Sequence, residues 1–467
     1  MTTPIFDFVK SYADKNPVRA HMPGHKGRGI FDAYKYDITE IDGADYLSEA
    51  CGIIGESERN ASLIFGCDTF YSTEGSSLCI RAMLFMIKKK AECEKRIPRI
   101  LAGRNAHASF VNACALLEID IDWIMPLKSE SYESCTITAK DVENCLSGKD
   151  ALYITNPDYL GNVSDIAGLA EICHRHGILL IVDNAHGAYL KFLDRSLFPI
   201  DLGADMCCSS AHKTLPVLTG GAYLHINGNA DSFFKGNAHQ ALSIFASSSP
   251  SYLILQSLDL CNDFLENEAI KKKAFIKTTE RVSRLKNSLK KSGFTLVGDE
   301  PLKLTIKFSN NRDILGIDRY PADILKDEGI YVEYHDSNHL VMMFSPLNTE
   351  EEYERIESAF KKLSGEKYST EPDTNLNIDR ERDQDKNQGN SLENNNRERM
   401  LKPVQSMDFK SAMLAVSEYV EAKDSIGRIM ARPVLSCPPC VPIYMYGEVI
   451  GEDILKYYTG KVAVVKE

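Results

Sequence analysis

Lys213 lies in the stretch SSAHKTLPVLTGG, Ser209 to Gly221, directly after His212 and between small hydroxyl residues and a glycine pair. A lysine in a dry pocket sheds its proton more readily and becomes a nucleophile able to form a Schiff base. Asp183 closes the apolar run ILLIVD, thirty residues upstream. A carboxylate at such a strand end can bind a metal, orient a histidine or pair with a cationic ring nitrogen, or it can be a strand-end Asp with satisfied partners. His186 follows three residues later. Two side chains without further ligands of matching hardness do not make a metal site, so no metal is expected.

Lysine and acid at strand ends of one sheet are the pair that pyridoxal 5'-phosphate requires. The lysine holds the cofactor, and the acid keeps its pyridine nitrogen protonated so that the ring can draw electrons from a substrate. Ser209, Ser210 and His212 then read as phosphate ligands. A second hydroxyl cluster, FYSTEGSSLCIRAMLFMIKKK, is a turn that opens into an amphipathic helix. Backbone N–H groups at a helix N-terminus favour phosphate. Gly75 allows close approach there, and Ser76 and Ser77 offer hydroxyls, although alone the pattern equally fits an N-cap. In GRNAHASF, His107 could stack on a cofactor ring or relay protons. Lys26, in the loop AHMPGHKGRG, is a rival nucleophile but lacks an adjoining strand.

The elements that position these residues follow from apolar patterning. DALYITN, ILLIVD, ADMCCSS and GGAYLHI read as strands, and DIAGLAEICHRHG reads as a helix closed by Gly177. Strand, helix and strand in succession imply right-handed crossovers and a mainly parallel sheet covered on both faces. Ligands gather at the carboxyl ends of such strands, which places Asp183, His186 and residues 209–213 around one pocket. The charged stretch Asn267 to Gly293 reads as a long helix leading to a smaller α/β unit. Strands are expected there near LKLTIKF, IYVEYH and HLVMMFS. Residues 364–405 are polar and Asn-rich, which predicts a flexible linker. A C-terminal α+β unit, 406–467, is expected to hold a helix near FKSAMLAVSEYVEA, a Pro-rich turn and a last short helix. The expected division is therefore an N-terminal segment and active-site loop (1–30), a large cofactor-binding domain (31–265), a connecting helix with the small α/β domain (266–363), the linker and the C-terminal domain.

The chain has 467 residues and a formal net charge of -12, which argues against a nucleic-acid or anionic-membrane partner. No long apolar run predicts a transmembrane helix, and the N-terminus lacks the basic start and apolar stretch of a secretory signal. Thirteen scattered cysteines read as free thiols in a reducing cytoplasm. Cys437 and Cys440 form a C-x-x-C without a second pair, and the prolines around them fit a rigid turn.

Taken together, HMPGHKGRG, DITEIDGADYLSEACGII, STEGSSLCIRAML, RNAHASF, ITNPDYLGNVSDI, IVDNAHGAYL, SSAHKTL and CPPCVPIYMYGEVI resemble the Orn/Lys/Arg decarboxylase family of fold-type I pyridoxal-phosphate enzymes. The resemblance is to the short form without an N-terminal wing domain. It implies decarboxylation of lysine, ornithine or arginine by a homodimer or larger homo-oligomer with active sites at subunit interfaces. It implies that Lys213 binds the cofactor, Asp183 pairs with the pyridine nitrogen, and His107 stacks on the ring. Ser76, Ser77, Ser210 and His212 would hold the phosphate, with His186 beside the lysine linkage and Glu333 facing the basic substrate side chain. Another fold-type I reaction, or a pyridoxal-binding protein without turnover, is the alternative. The chain departs from the family pattern at Ser48, Leu78, Cys79, Ala108, Ala211 and Cys440, the last standing where glycine is usual.

Overall fold

A computed structural model describes residues 1–128, 130–266, 268–308, 320–365, 399–434 and 440–466. Its centre is a seven-stranded sheet built from β1 (Asp68–Ser72), β2 (Arg99–Gly103), β3 (Asp120–Ile124), β4 (Ala151–Thr155), β5 (Leu179–Asp183), β6 (Met206–Ser209) and β7 (Ala222–Ile226). The strand order is β1-β7-β6-β5-β4-β2-β3. The five strands from β3 to β6 pair in parallel. GGAYLHI forms β7 as expected, but it runs antiparallel to β6 and to β1. Between β6 and β7 lies only the one-turn helix Ala211–Thr214, too short to carry the chain across the sheet, so the chain folds back and the pair is antiparallel.

The strands alternate strictly between two buried faces. Leu180 and Val182 pack into one core, while Ile181 packs into the other beside Tyr153, Met206 and Cys208. That second core lies under the helices Gly75–Cys93 and Ala108–Leu117. Asp183 has the parity of Ile181, so its carboxylate emerges on the side where both helices begin. The helix Ile166–Arg175 connects β4 to β5 and ends at Gly177, whose φ of +68° is the left-handed turn expected there.

The helix Glu268–Lys291 leads into a four-stranded antiparallel sheet of β8 (Thr295–Val297), β9 (Lys303–Lys307), β10 (Tyr334–His335) and β11 (His339–Met343). LKLTIKF and HLVMMFS supply β9 and β11, but IYVEYH pairs only over Tyr334 and His335. Glu333 is therefore at the strand's start, on the approach to the site.

Of the expected linker, residues 366–398 lie outside the described residues. Arg399 donates to the Thr136 carbonyl at 3.1 Å and pairs with Asp141. The helix expected through FKSAMLAVSEYVEA stops at Leu414. Ser417–Glu421 instead forms β12, paired antiparallel with β13 (Lys461–Val465). Tyr419 and Val420 suit a pleated strand, and the cross-strand partners Ala463 and Val462 capture them. The last short helix is Ile454–Tyr457. Among the described residues no helix is long and apolar enough to cross a membrane.

Candidate active site

The carboxyl ends of β4, β5 and β6 and the N-termini of two helices surround a cavity of about 340 Å³. Gly75, Ser76, Ser77, His107, Asp183, His186, Ser210, His212, Lys213 and Glu333 all line it. The structure thus brings together residues from segments up to 258 positions apart (75 to 333). Ser209, also read as a phosphate ligand, does not line the cavity: it is fully buried in β6, where its Oγ accepts from Asn184 Nδ2 at 3.0 Å. Lys26, the rival lysine, is exposed, donates to the His21 carbonyl and does not line this cavity.

Asp183 lies at the end of β5, opposite Thr155 of β4 and Cys208 of β6, and is 2% exposed. It accepts hydrogen bonds from the Tyr153 hydroxyl (3.3 Å), the Ala185 N–H (3.2 Å) and the Cys208 thiol (3.5 Å). Burial and the Asp183 charge keep that thiol protonated. Lys213 is on the one-turn helix Ala211–Thr214, and its Nζ is 2.9 Å from His186 Nε2. Burial pushes the Lys213 ammonium below its ordinary range, while Asp183 and Glu333 oppose the shift. His186 is 5% exposed, and burial followed by the charge of Lys213 pushes its pKa far down. Its ring is neutral at pH 7.

The hydroxyl residues form one wall. Ser210 Oγ donates to Ser76 Oγ at 2.9 Å, and Ser109 Oγ donates to Ser77 Oγ at 2.8 Å. Gly75 opens the helix Gly75–Cys93 with φ +72°, and a Cβ there would meet only open space. The first N–H groups of that helix have no partner within it and face the same wall. His107 caps the helix Ala108–Leu117, its Nδ1 accepting from the Ser109 N–H at 3.1 Å. Its hydrogen is then on Nε2. His212 Nδ1 is 3.0 Å from the Gly221 carbonyl, which only accepts, so Nδ1 carries hydrogen there. A neutral His212 offers an acceptor at Nε2; only its imidazolium donates to an anion.

Sequence reasoning missed seven lining residues: Asn105, Glu133, Thr155, Pro157, Tyr159, Ala185 and Val441. Tyr159 donates from its hydroxyl to Glu333 Oε1 at 3.0 Å. Lys303, also missed, lies behind His186, with its Nζ 3.1 Å from His186 Nδ1. Cys440 lines the cavity with φ +59°, the left-handed conformation that explains a glycine preference at this position. Its carbonyl accepts the Ala108 N–H at 2.9 Å. Cys437 lies outside the described residues. Among the described residues no group of three or more His, Cys, Asp or Glu side chains is placed to hold a metal.

Pyridoxal phosphate fits these residues. Hydroxyls, the N-termini of two helices, a carboxylate and a lysine all line one cavity. Two buried polar atoms of lining residues, Thr155 Oγ1 and Asn105 Nδ2, have no partner among the described residues. Such atoms are costly unless something else satisfies them. Sheet and site together define a fold-type I pyridoxal-phosphate enzyme. Residues 3–307 match the family model for the Orn/Lys/Arg decarboxylase major domain, and the chain belongs to that family. It is 26% identical to an arginine decarboxylase of Bacillus subtilis, over 97% of this chain and 92% of that one. It is 29% identical to an arginine decarboxylase of Halalkalibacterium halodurans, again over 97% and 92%. The fold superimposes on a lysine decarboxylase of Francisella novicida with a TM-score of 0.75 at 16% identity, covering 99% of this chain and 81% of that one.

Proposed function

We propose that this chain decarboxylates a basic amino acid at the cavity around Lys213, releasing the amine and carbon dioxide. The observation that carries the reading is the convergence of Lys213, Asp183, His107 and the hydroxyl wall, with two carboxylates, Glu133 and Glu333, lining the same cavity. Bound pyridoxal phosphate supplies an electron sink for the electron pair that the departing carboxylate leaves behind. Lys213 would bind the cofactor covalently and release it to the incoming amine. Asp183 would hold a proton at the pyridine nitrogen, and its three donors keep it aimed. The His107 ring would cover the cofactor, fixed by the Ser109 N–H. Ser76, Ser77 and Ser210 would donate to the phosphate, whose negative charge would hold His212 as the donating imidazolium. Glu333, oriented by Tyr159, and Glu133 would receive the cationic end of the substrate.

Transamination is disfavoured. Among the described residues no arginine lines the cavity, and Arg104, one candidate clamp for a substrate carboxylate, is committed to Glu448 at 2.8 Å. A homo-oligomer is part of the proposal. Val18, Met22, Ile30 and Phe31 expose more than half of their apolar surface around the 20–29 loop, where a second copy would cover them. Sedimentation of the full chain checks this, and a monomer at micromolar concentration would refute it. The eleven cysteines from Cys51 to Cys261 are free thiols, which supports a reducing, cytoplasmic setting that cell fractionation tests.

The decisive experiment supplies lysine, ornithine and arginine with added pyridoxal phosphate and measures amine and carbon dioxide. In parallel, borohydride reduction followed by peptide mass spectrometry should place the cofactor on Lys213. Cofactor on another lysine overturns the site, and cofactor on Lys213 without carbon dioxide from any of the three overturns the reaction.

A further inference from the structure

We propose that Lys303, His186 and Lys213 form a one-proton relay, in which Lys303 takes up the proton that Lys213 must lose before its amine can act as a nucleophile. The inference rests on Lys213 being the reactive amine, which borohydride labelling decides separately.

Lys303 opens β9 in the small sheet, yet it is 2% exposed and reaches across to the large domain. Its Nζ meets three partners: the Asp158 carbonyl at 3.1 Å, the Tyr159 carbonyl at 3.2 Å and His186 Nδ1 at 3.1 Å. An ammonium has three N–H bonds and no lone pair. Both carbonyls only accept, so two of its hydrogens are always committed to them. The third interaction depends on His186.

A neutral imidazole carries one ring hydrogen. When Lys303 is an ammonium, it donates to Nδ1, so the hydrogen of His186 is on Nε2. That Nε2–H then points at Lys213 Nζ, 2.9 Å away, which must offer a lone pair. In the opposite arrangement Lys213 is the ammonium and donates to Nε2, while Nδ1–H donates to a neutral Lys303. Each arrangement satisfies every contact, and each places one proton on the two lysines together. With two protons, one ring N–H faces an ammonium; with none, one amine loses its donor. In the interconversion His186 accepts a proton from Lys213 at Nε2 and passes its Nδ1 proton to Lys303. One proton leaves one amine, one arrives on the other, and the histidine is neutral before and after.

The surroundings favour the proton on Lys303. Two carbonyls, the Glu300 and Asp158 carboxylates and the Tyr159 ring face (5.6 Å from Nζ) all stabilise an ammonium there. Glu333 adds to this and Lys213 opposes it, and burial leaves the Lys303 pKa at about 8. Lys213 faces Asp183 and Glu333 but has His186 as its partner at hydrogen-bond distance. His107 and His212 face His186 from the large sheet, and both are depressed by burial. The backbone is shaped for the contact. Gly161 has φ +92°, and a Cβ there would lie 3.2 Å from Lys303 Cδ.

The test uses full-length protein stripped of cofactor. The pH dependence of reductive methylation, read on the Lys213 peptide by mass spectrometry, measures the protonation of that amine. Lys303→Met removes the ammonium and should raise the Lys213 pKa by a unit or more, slowing its methylation at pH 7 at least tenfold. Lys303→Arg keeps a charged donor and should restore most of the wild-type rate. An unchanged Lys213 pKa in a folded Lys303→Met protein overturns the relay. A second measurement needs no variant fold. Nitrogen-15 shifts of His186 in the wild-type protein should show a neutral ring protonated at Nε2 at pH 7. Protonation at Nδ1, or an imidazolium, overturns the proposal.

Discussion

Glu448→Ala should loosen the C-terminal unit and, with it, one wall of the cavity. Arg104 and Glu448 are both fully buried. Arg104 Nη2 donates to Glu448 Oε2 at 2.8 Å and to the Ile443 carbonyl at 2.9 Å, and Nη1 donates to the Pro442 carbonyl at 3.3 Å. The same Oε2 accepts the Met445 N–H at 2.7 Å. The truncation leaves a guanidinium without its counter-ion and an amide without its acceptor. Removing one member of a buried pair costs about 3–5 kcal/mol, because the remaining charge is uncompensated. At about 1.4 kcal/mol per tenfold, that is on the order of a thousandfold in a local folding equilibrium. The loss should concentrate at residues 440–448, where the Cys440 carbonyl and Arg104 join the C-terminal unit to the His107 loop. Trp123 is the sole tryptophan, and its ring lies 5.3 Å from the Arg104 guanidinium. Urea titration followed by Trp123 fluorescence therefore reads this clamp directly. The double variant Arg104→Met/Glu448→Leu removes both charges and should recover more than half of the loss. Arg104 Nε and Glu448 Oε1 lack partners among the described residues, so the native pair does not recover its full desolvation cost. A single variant that loses under about 1 kcal/mol, or a double variant as unstable as the single, would refute this reasoning.

Ser210→Ala removes the hydroxyl that donates to Ser76 Oγ. One hydrogen bond of about 0.5–1.5 kcal/mol predicts roughly two- to tenfold weaker retention of pyridoxal phosphate, and equilibrium dialysis showing equal affinity would remove Ser210 from the phosphate end. His239 Nε2 lies 3.0 Å from Glu58 Oε2; burial lowers its pKa, but the hydrogen bond and charge of Glu58 outweigh burial and raise it overall. The folded state therefore binds the extra proton more tightly than the unfolded chain. The pair's stabilisation is fully present below the unfolded value of 6.5 and is lost as pH rises through the raised folded pKa. Wild-type stability should fall relative to His239→Gln as pH rises above 6.5, and parallel denaturation profiles would contradict that.

Much of the site was legible because strand ends announce themselves. An apolar run that stops at Asp183 marks a buried strand with a polar tip, and the turn at 209–213 follows the next strand. Glycine and serine before an amphipathic run marked the helix beginning at Gly75. Lys303 was illegible for a physical reason. In LKLTIK the polar residues Lys303, Thr305 and Lys307 alternate with Leu304 and Ile306, the pattern of a solvated face. That face instead covers the 158–161 loop: Thr305 Oγ1 donates to the Leu160 carbonyl at 2.7 Å, and Lys303 to the two residues before it. Period-two alternation says which residues share a face, not what the face meets. Glu133 and Tyr159 lie on connections without periodicity and carried no signal at all.

The sequence by itself determined the order of elements and the two faces of each strand, because burial patterning and turn residues act locally. It also determined the chemical inventory: one lysine, two acids, three histidines and a set of hydroxyls at the ends of elements. The tertiary structure decided which of these meet. It turned β7 antiparallel, placed Glu333 at a strand start and drove Lys303 between two carbonyls and His186. Hydrogen bonds of about 3 Å depend on how distant segments dock, and no local spacing encodes that distance.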